Sequence, residues 1–226
     1  MQKILVASII AFTCILGLAQ KKDDRTWVST FQIDRDELTS TGRNPYFILE
    51  PGYVLVLEGG GERLTITVLD ETRRIDNVET RVVEERESKA GRLIEVSRNY
   101  FAISKLTNSV YYFGEEVDIY KAGKIVSHDG AWLAGEQGAR FGMMMPGKPV
   151  LRARYYQEIA PGVAMDRAEI VSLNNTLKTP AGDFQQVLRI VETTPLERVA
   201  GESKYYAAGV GLLQYGSLKL VRYGKR

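Results

Sequence analysis

The sequence predicts an all-β, mainly antiparallel protein whose sheet is strongly curved or partly closed into a barrel. Apolar and polar residues alternate along several segments, as in residues 63–69, where Leu64, Ile66 and Val68 share one face. Short turn signals separate these segments, such as Ala122-Gly123 between two strand-like stretches. The second half of the chain also repeats features of the first. Paired antiparallel modules of this kind form curved sheets or barrels.

Several strands are expected in order along the chain. They are residues 27–33 (a short strand), 63–69, 78–87, 93–97, 109–113, 117–120 and 124–127. Residues 78–83 also fit an amphipathic helix. The repeat favours a strand, because its second copy carries Pro180 and Gly182, which forbid a continuous helix there. Residues 134–147, rich in glycine and methionine, are expected to form a loop.

The repeat relates residues 68–85 to residues 171–193. It predicts a β domain over residues 44–226 that is built from two similar modules. The modules span residues 45–113 and 146–223, with a connector at 114–145.

The first 19 residues follow the pattern of a cleavable export signal. Lys3 gives a positive start, residues 4–18 are almost wholly apolar, and Gly17-Leu18-Ala19 offers small residues for cleavage after Ala19. The apolar run is shorter than the roughly 18 residues of a spanning helix, so no stable transmembrane anchor is expected. We therefore expect a periplasmic or secreted protein, in which a polar leader, residues 20–43, precedes the β domain.

The single cysteine, Cys14, lies inside the predicted signal. A lipoprotein is the alternative, but residues 11–13 lack the leucine of a lipobox. Removal of the signal leaves a chain without thiols, which excludes disulfides, thiolate metal sites and cysteine nucleophiles. That chain carries 29 basic and 28 acidic side chains, a net charge of +1. Such a balance gives no long-range attraction to phosphates, so no nucleic-acid partner is expected.

His128, the only histidine, is one candidate for catalysis. Followed by Asp129, it could act as the general base of a hydrolase. However, adjacent residues on a strand face opposite sides, Asp129-Gly130 is typical of a turn, and no Gly-x-Ser-x-Gly motif is present. Paired carboxylates of a glycosidase remain the other enzymatic alternative, and no pair stands out in the sequence.

Metal and nucleotide chemistry have little support. The run Met143–Met145 with His128 could bind copper, but three consecutive residues do not converge easily on one ion, so burial is favoured. Acids at 70–76 and 115–118 lack the spacing of a calcium loop. Gly59-Gly60-Gly61 is followed by no Gly-Lys-Ser/Thr and is expected to be a hairpin turn. No metal or other cofactor is therefore predicted.

Tyrosine doublets provide the strongest candidate for a binding site. They lie at residues 111–112, 155–156 and 205–206. On a strand, each doublet sends one ring to each face, and buried tyrosines favour sites that are half apolar and half wet. Ordinary sheet packing is the alternative, because tyrosine is a good strand former. The predicted ligand-binding residues are Tyr112, Trp132, Arg154, Tyr155, Tyr156 and Tyr206.

Several motifs together carry a family resemblance. They are Asn44-Pro45-Tyr46-Phe47, Glu50-Pro51-Gly52-Tyr53, Arg98-Asn99-Tyr100-Phe101 and residues 68–72, 78–87 and 112–121. With these motifs the chain resembles an uncharacterised family of exported bacterial β-rich proteins, which implies an envelope or secreted location and no particular activity. In architecture it is similar to the half-barrel carriers of lipoproteins and lipids in the periplasm.

The function predicted from the sequence is the non-enzymatic binding of an amphipathic small molecule or an envelope protein in a concavity of the sheet. A hydrolase that uses His128 or paired carboxylates is one alternative. A structural or assembly protein of the envelope, whose exposed strand edges pair with a partner, is another.

Overall fold

The structure is a computed structural model that describes residues 26–196 and 201–225. Strands make up 66% of it and helical segments 2%, which confirms the predicted all-β class. The predicted export signal, residues 1–19, lies outside the described residues. Within the described ranges, no helix combines the length and apolar character needed to cross a membrane.

Eighteen strands and one 3₁₀ turn form the regular structure of the described residues. The first half of the chain contributes the 3₁₀ turn Arg35–Glu37 and strands β1 Leu38–Thr39, β2 Gly42–Asn44, β3 Phe47–Leu49, β4 Tyr53–Gly59, β5 Glu62–Ile75, β6 Val78–Lys89, β7 Arg92–Ser104, β8 Val110–Lys121 and β9 Lys124–Ser127. The second half contributes β10 Trp132–Leu133, β11 Arg140–Met145, β12 Arg154–Tyr156, β13 Glu158–Ile159, β14 Arg167–Thr179, β15 Gly182–Thr193, β16 Glu202–Ala207, β17 Gly211–Tyr215 and β18 Leu218–Lys225.

Sixteen of these strands form one antiparallel sheet. Its order is β12-β14-β15-β16-β17-β18-β4-β5-β6-β7-β8-β11-β13, with β1 on β7 and β9 and β10 on β8. The two end strands, β12 and β13, are consecutive in the chain, and only Gln157 separates them. Because β12 pairs with β14 and β13 pairs with β11, the two ends of the sheet meet in one segment. The sheet is a nearly closed barrel, as predicted.

The alternation in the sequence decides which side chains enter the barrel. Leu64 and Ile66 on β5 line its interior, and their register partners on β6 are Glu87 and Glu85. Side chains one residue away on either strand point outward, because successive residues of a strand face opposite sides. The interior therefore receives apolar residues from β5 and carboxylates from the neighbouring positions of β6.

The hairpin turns follow the predicted signals. Asp76 and Asn77 adopt positive φ angles of 46° and 64°, the conformation of a two-residue type I′ turn, whose twist suits antiparallel strands. This turn joins β5 to β6 and makes residues 78–83 part of a strand rather than a helix. The glycines at 59–61 join β4 to β5, and Ala122-Gly123 joins β8 to β9.

Two local predictions are wrong. Residues 134–147 include β11, which pairs with β8 and β13 instead of forming only a loop. A strand is favoured there because β11 buries Met145 completely and gains hydrogen bonds on both sides. Residues 27–33 form only an isolated bridge, in which Val28 pairs with Tyr155 and covers one side of β12.

The two segments that resemble each other in sequence both form long hairpins, β5–β6 and β14–β15. Each hairpin contains register shifts, between Val68 and Thr72 in the first and between Ile170 and Leu177 in the second. The predicted connector, residues 114–145, continues the same sheet through β8 and β11. The division into two modules remains a prediction.

A small hairpin, β2–β3, lies across one end of the barrel and contacts β7 and β17 on opposite walls. Its Asn44 is fully buried and donates through Nδ2 to the carbonyl oxygens of Asn108 (2.8 Å) and Pro146 (3.0 Å). Ile48 and Leu49 of this hairpin join the apolar core. The hairpin thus fills one end of the interior and leaves the other end to more polar side chains.

The described part of the leader is held against the barrel by a buried arginine. Arg81 on β6 donates to the carbonyl oxygen of Ser40 (3.1 Å) and to the hydroxyl of Thr41 (2.7 Å). The same guanidinium contacts the carbonyl oxygens of Leu69 and Glu71, which the register shift in β5 turns toward it. This side chain therefore links the predicted leader to the first long hairpin.

Candidate functional site

A cavity of about 400 Å³ lies inside the barrel. Strands β4 to β8 form one wall, and β15 to β17 form the opposite wall. The β2–β3 hairpin supplies part of the lining at the filled end. Cavities of roughly 300–1,000 Å³ are typical of small-molecule sites, so this space is large enough for a ligand.

Four glutamates line one side of the cavity, and we call Glu85, Glu87, Glu95 and Glu115 the acidic wall. Glu85 and Glu87 are alternate residues of β6, and Glu95 lies directly opposite Glu87 on β7. Glu115 on β8 is the register partner of Asn99 on β7. Three adjacent strands therefore direct carboxylates into the same space.

Three members of the acidic wall lack a direct partner among the described residues. Among the described residues, no hydrogen bond or ion pair engages the carboxylate of Glu85, Glu87 or Glu95. Burial raises the pKa of Glu85 to about 7; Lys204 opposes this rise, and Glu87 and Glu95 add to it. Burial also raises the pKa values of Glu87 and Glu95. All three shifts are in the direction of the neutral acid.

Glu115 is held in a similar environment. Burial raises its pKa to about 7, and the charges of Glu85 and Glu95 raise it further. Hydrogen bonds from the hydroxyls of Ser97 and Tyr112 offset part of the rise. Near neutral pH, Glu115 and Glu85 each exchange a proton over the same pH range.

The opposite wall also contains an acid, but this one is paired. Lys204 Nζ on β16 lies 2.6 Å from a carboxylate oxygen of Glu192 on β15, and Gln157 Nε2 donates to the other oxygen at 2.9 Å. The ammonium also lies 4.9 Å from the centre of the Tyr215 ring, within the range of a cation–π contact. Burial alone would lower the pKa of Lys204, but Glu192 outweighs it and the pKa is raised. We call this group, Gln157, Glu192, Lys204 and Tyr215, the paired wall.

Glu158 completes the charged lining. Trp132 Nε1 donates to its Oε2 at 2.9 Å, while burial, Asp166 and Glu115 together raise its pKa to about 8. The cavity lining, taken over the described residues, thus contains seven carboxyl groups and the single ammonium of Lys204. Its interior has a large excess of negative charge whenever the carboxyl groups are ionised.

The remaining lining is aromatic and apolar. The Tyr112 ring stacks on Phe101 with centroids 4.7 Å apart, and Phe101 meets Phe47 edge to face at 4.9 Å. Ile66 and Leu212 line the same space from β5 and β17. The cavity therefore combines an apolar surface with a concentrated patch of acid.

Two of the six residues predicted for ligand binding, Tyr112 and Tyr206, line the cavity. Trp132 and Tyr155 lie behind its lining, where Trp132 supports Glu158. The Tyr155 hydroxyl is buried and has no hydrogen-bond partner among the described residues. These four residues are thus in or next to one site, although the sequence did not reveal the charges between them.

The other two, Arg154 and Tyr156, lie on the outer face. Arg154 forms an ion pair with Glu169 at 2.7 Å, and its guanidinium lies 5.0 Å from the centre of the Trp27 ring. Tyr156 meets the same ring edge to face at 6.4 Å. Since Arg154 pairs with Glu169 in the β12–β14 register, its role in the structure is to join these strands.

His128 lies outside the barrel. Its side chain is 69% exposed, and Nδ1 lies 2.9 Å from Asp118 Oδ1 and 2.8 Å from the carbonyl oxygen of Val117. The shallow depression beside it is lined by no serine, threonine or cysteine from the described part of the chain. Among the described residues, this depression therefore offers the imidazole no hydroxyl or thiol nucleophile.

The candidate metal ligands are dispersed. Met145 is buried, whereas Met144 lines the cavity and accepts a hydrogen bond from Gln157 at 3.4 Å. Asp70 and Asp76 belong to the acidic segment 70–76, and both lie beside an arginine. Asp70 faces Arg81, and Asp76 pairs with Arg35. Over residues 26–196 and 201–225, no three His, Cys, Asp or Glu side chains converge as metal ligands.

The sequence did not identify the acidic wall. Residues 84–87 are all charged, which in a sequence is typical of the solvated face or end of a strand. A signal was nevertheless present, because Glu85 and Glu87 continue the two-residue period of Val83, which is buried. Following that period places both glutamates on the same face of the strand as Val83.

No protein-family model matches the chain, and no curated protein or solved structure is significantly similar to it.

Proposed function

We propose that this protein is an exported, non-enzymatic binding protein that holds a small amphipathic molecule in the cavity of its barrel. The cavity carries the proposal, because about 400 Å³ of space combines apolar and aromatic walls with a few concentrated charges. A fully packed interior, with Leu or Phe in place of the glutamates, would be the more stable arrangement for a scaffold. The retention of buried charge around open space supports binding.

Filling the cavity tests the proposal. Ile66 faces the cavity, whereas its neighbour Thr65 faces outward on the same strand. We expect small molecules extracted from the purified wild-type protein and from Thr65→Trp to be the same by mass spectrometry, and to be missing from Ile66→Trp. Circular dichroism checks that both variants remain folded. Recovery of the same molecules from all three proteins would place binding elsewhere.

Hydrolysis by paired carboxyl groups is a second candidate function. Glu85 and Glu115 have pKa values of about 7 and share the cavity with other carboxylates, so one can hold a proton while another is ionised. Two carboxyl groups in different protonation states are what glycoside hydrolysis requires. Activity against a panel of aryl glycosides, lost in Glu115→Gln but kept in the outward-facing Glu116→Gln, would favour this enzyme.

A further inference from the structure

The unpaired charge of the acidic wall points to the kind of ligand that the cavity takes. Glu85, Glu87 and Glu95 lie on two neighbouring strands inside the barrel without an ion-pair partner among the described residues. Burial of an ionised carboxylate without a partner is costly, and a compensating cation removes the cost. The fold supplies such a cation to Glu192 through a direct ion pair with Lys204. Lys204 acts on Glu85 and Glu87 only at longer range and forms no ion pair with them.

Apolar surface lies directly beside these carboxylates. In the β5–β6 register, Ile66 is the partner of Glu85 and Leu64 is the partner of Glu87, and all four side chains line the cavity. A ligand with a carbon skeleton can therefore cover Leu64 and Ile66 while its charged group meets the neighbouring acids. A fully hydrated inorganic ion would leave this apolar surface uncovered.

We propose that the ligand is an organic cation, an amine or quaternary ammonium with an apolar body, whose charged group lies among Glu85, Glu87 and Glu95. This inference rests on the proposed binding function and adds the charge and chemical class of the ligand. A protonated amine binds carboxylates through charge-assisted hydrogen bonds, whereas a quaternary ammonium has no N–H and binds through its charge alone. Both groups pack favourably against aromatic rings.

The other ionisable groups around the acidic wall set the pH dependence. Four charged groups face it from the surrounding elements: Glu158, Asp166, Glu192 and Lys204. Three tyrosines also face it, Tyr112, Tyr206 and Tyr215, and burial raises the pKa of each, so that they stay neutral near pH 7. Lys204 is already paired with Glu192. Cation affinity therefore follows the ionisation of Glu85 and Glu115 and increases between pH 6 and pH 8.

Three dyes that share one fluorophore and differ in charge test the inference. Dansylcadaverine is cationic, dansylamide is neutral and dansylglycine is anionic. In fluorescence titrations at pH 8, we expect the wild-type protein to bind dansylcadaverine at least about tenfold more tightly than dansylamide, since one charge-assisted contact is worth about this factor. Dansylglycine should show no binding. The affinity for dansylcadaverine should fall about tenfold at pH 5.5.

Substitutions test whether the charged group of the ligand binds at Glu85 and Glu87. The double variant Glu85→Gln/Glu87→Gln should bind dansylcadaverine about tenfold more weakly and dansylamide unchanged. Glu84→Gln is the matched control, because Glu84 lies on the same strand, faces outward and meets Arg98. Thermal unfolding checks that each variant is folded, and the control should bind all three dyes as the wild type does.

The other outcomes overturn one or both proposals. If dansylamide or dansylglycine binds as tightly as dansylcadaverine, the cavity binds ligands but its preference for cations is wrong. If none of the dyes binds, the proposed binding function fails as well. If millimolar calcium chloride displaces dansylcadaverine from the wild type but not from the double variant, the acidic wall is a metal site and the organic cation is wrong.

Discussion

The two walls of the cavity differ in whether their carboxyl groups have a direct ion-pair partner. On the paired wall, Glu192 receives the ammonium of Lys204 at 2.6 Å and the amide of Gln157 at 2.9 Å. On the acidic wall, Glu85 lies beside other carboxylates, and burial raises its pKa to about 7. Since both walls belong to one continuous sheet, the fold is able to supply partners and does so on one side only. The ion pair of the paired wall should stabilise the fold, whereas Glu85, Glu87 and Glu95 of the acidic wall carry the proposed ligand site.

Removal of the cation from the paired wall has the largest expected effect. Lys204→Met leaves Glu192 without its ion pair in a cavity already rich in acid, and breaking a buried pair destabilises strongly. We expect a loss of about 2–4 kcal/mol in the free energy of unfolding at pH 8. Urea denaturation measures this loss. Lys178→Met is the control, because its ion pair with Asp183 is exposed and should contribute nothing measurable. Equal stability of the two variants would show that the Lys204–Glu192 pair contributes no more to stability than an exposed ion pair does.

Neutralisation of Glu85 on the acidic wall should instead increase the free energy of unfolding. The pKa of Glu85 is about 7 in the folded protein and ordinarily 4.5, so ionisation favours the unfolded chain and wild-type stability falls as pH rises through this range. Glu85→Gln should therefore be more stable than wild type by about 1–3 kcal/mol at pH 8. The difference should vanish at pH 4, where the carboxyl group is protonated in both states. A destabilised variant at pH 8 would show that Glu85 has a partner after all.

Introduction of a cation should make the acidic wall resemble the paired wall. Glu95→Lys places an ammonium directly opposite Glu87, and opposite charges at such positions stabilise a sheet by roughly 0.2–1 kcal/mol. We expect a gain of about 1 kcal/mol at pH 8, together with loss of dansylcadaverine binding. Urea denaturation and fluorescence titration measure the two effects. Retained dye binding would indicate that Glu95 lies away from the charged group of the ligand.

The smallest effect concerns a neutral group beside the paired wall. The Tyr155 hydroxyl is buried without a partner, so Tyr155→Phe should change the free energy of unfolding by less than about 0.5 kcal/mol. Tyr53→Phe is the comparison, because its hydroxyl donates to the carbonyl oxygen of Val210 at 2.8 Å and should cost about 1 kcal/mol. A large loss in Tyr155→Phe would reveal a hydrogen bond to a bound molecule or water.

Much of the fold follows from local patterns. Residues 63–69 form a strand because their side chains alternate, and Asp76 and Asn77 form the turn that joins it to the strand at residues 78–87. β11 was missed because its methionines and glycine have weak strand preference, and only pairing with β8 and β13 stabilises it. The strand propensity of a segment contains no information about strands that are distant in the sequence and pair with it.

The site was harder to predict than the strands. Alternation shows that Glu85 and Glu87 share a face, but not that this face turns inward. The direction is fixed by curvature of the whole sheet, which brings β6 opposite β16 and its Lys204. Glutamate side chains are usually solvated, so the residue type alone favours a surface position for Glu85 and Glu87. Tyr112 and Tyr206 line the cavity because neighbouring residues of a strand face opposite sides, so that each doublet directs one ring inward.

The bridge at Val28 has a consequence for how the chain can be shortened. Val28 donates to the carbonyl oxygen of Arg154 (3.0 Å) and accepts from the amide of Tyr156 (2.9 Å), on the side of β12 that faces away from β14. A protein trimmed beyond this residue would leave those backbone groups unpaired at the place where the barrel closes. Two trimmed molecules could satisfy each other there, so shortening the chain to this point would favour self-association that increases with protein concentration.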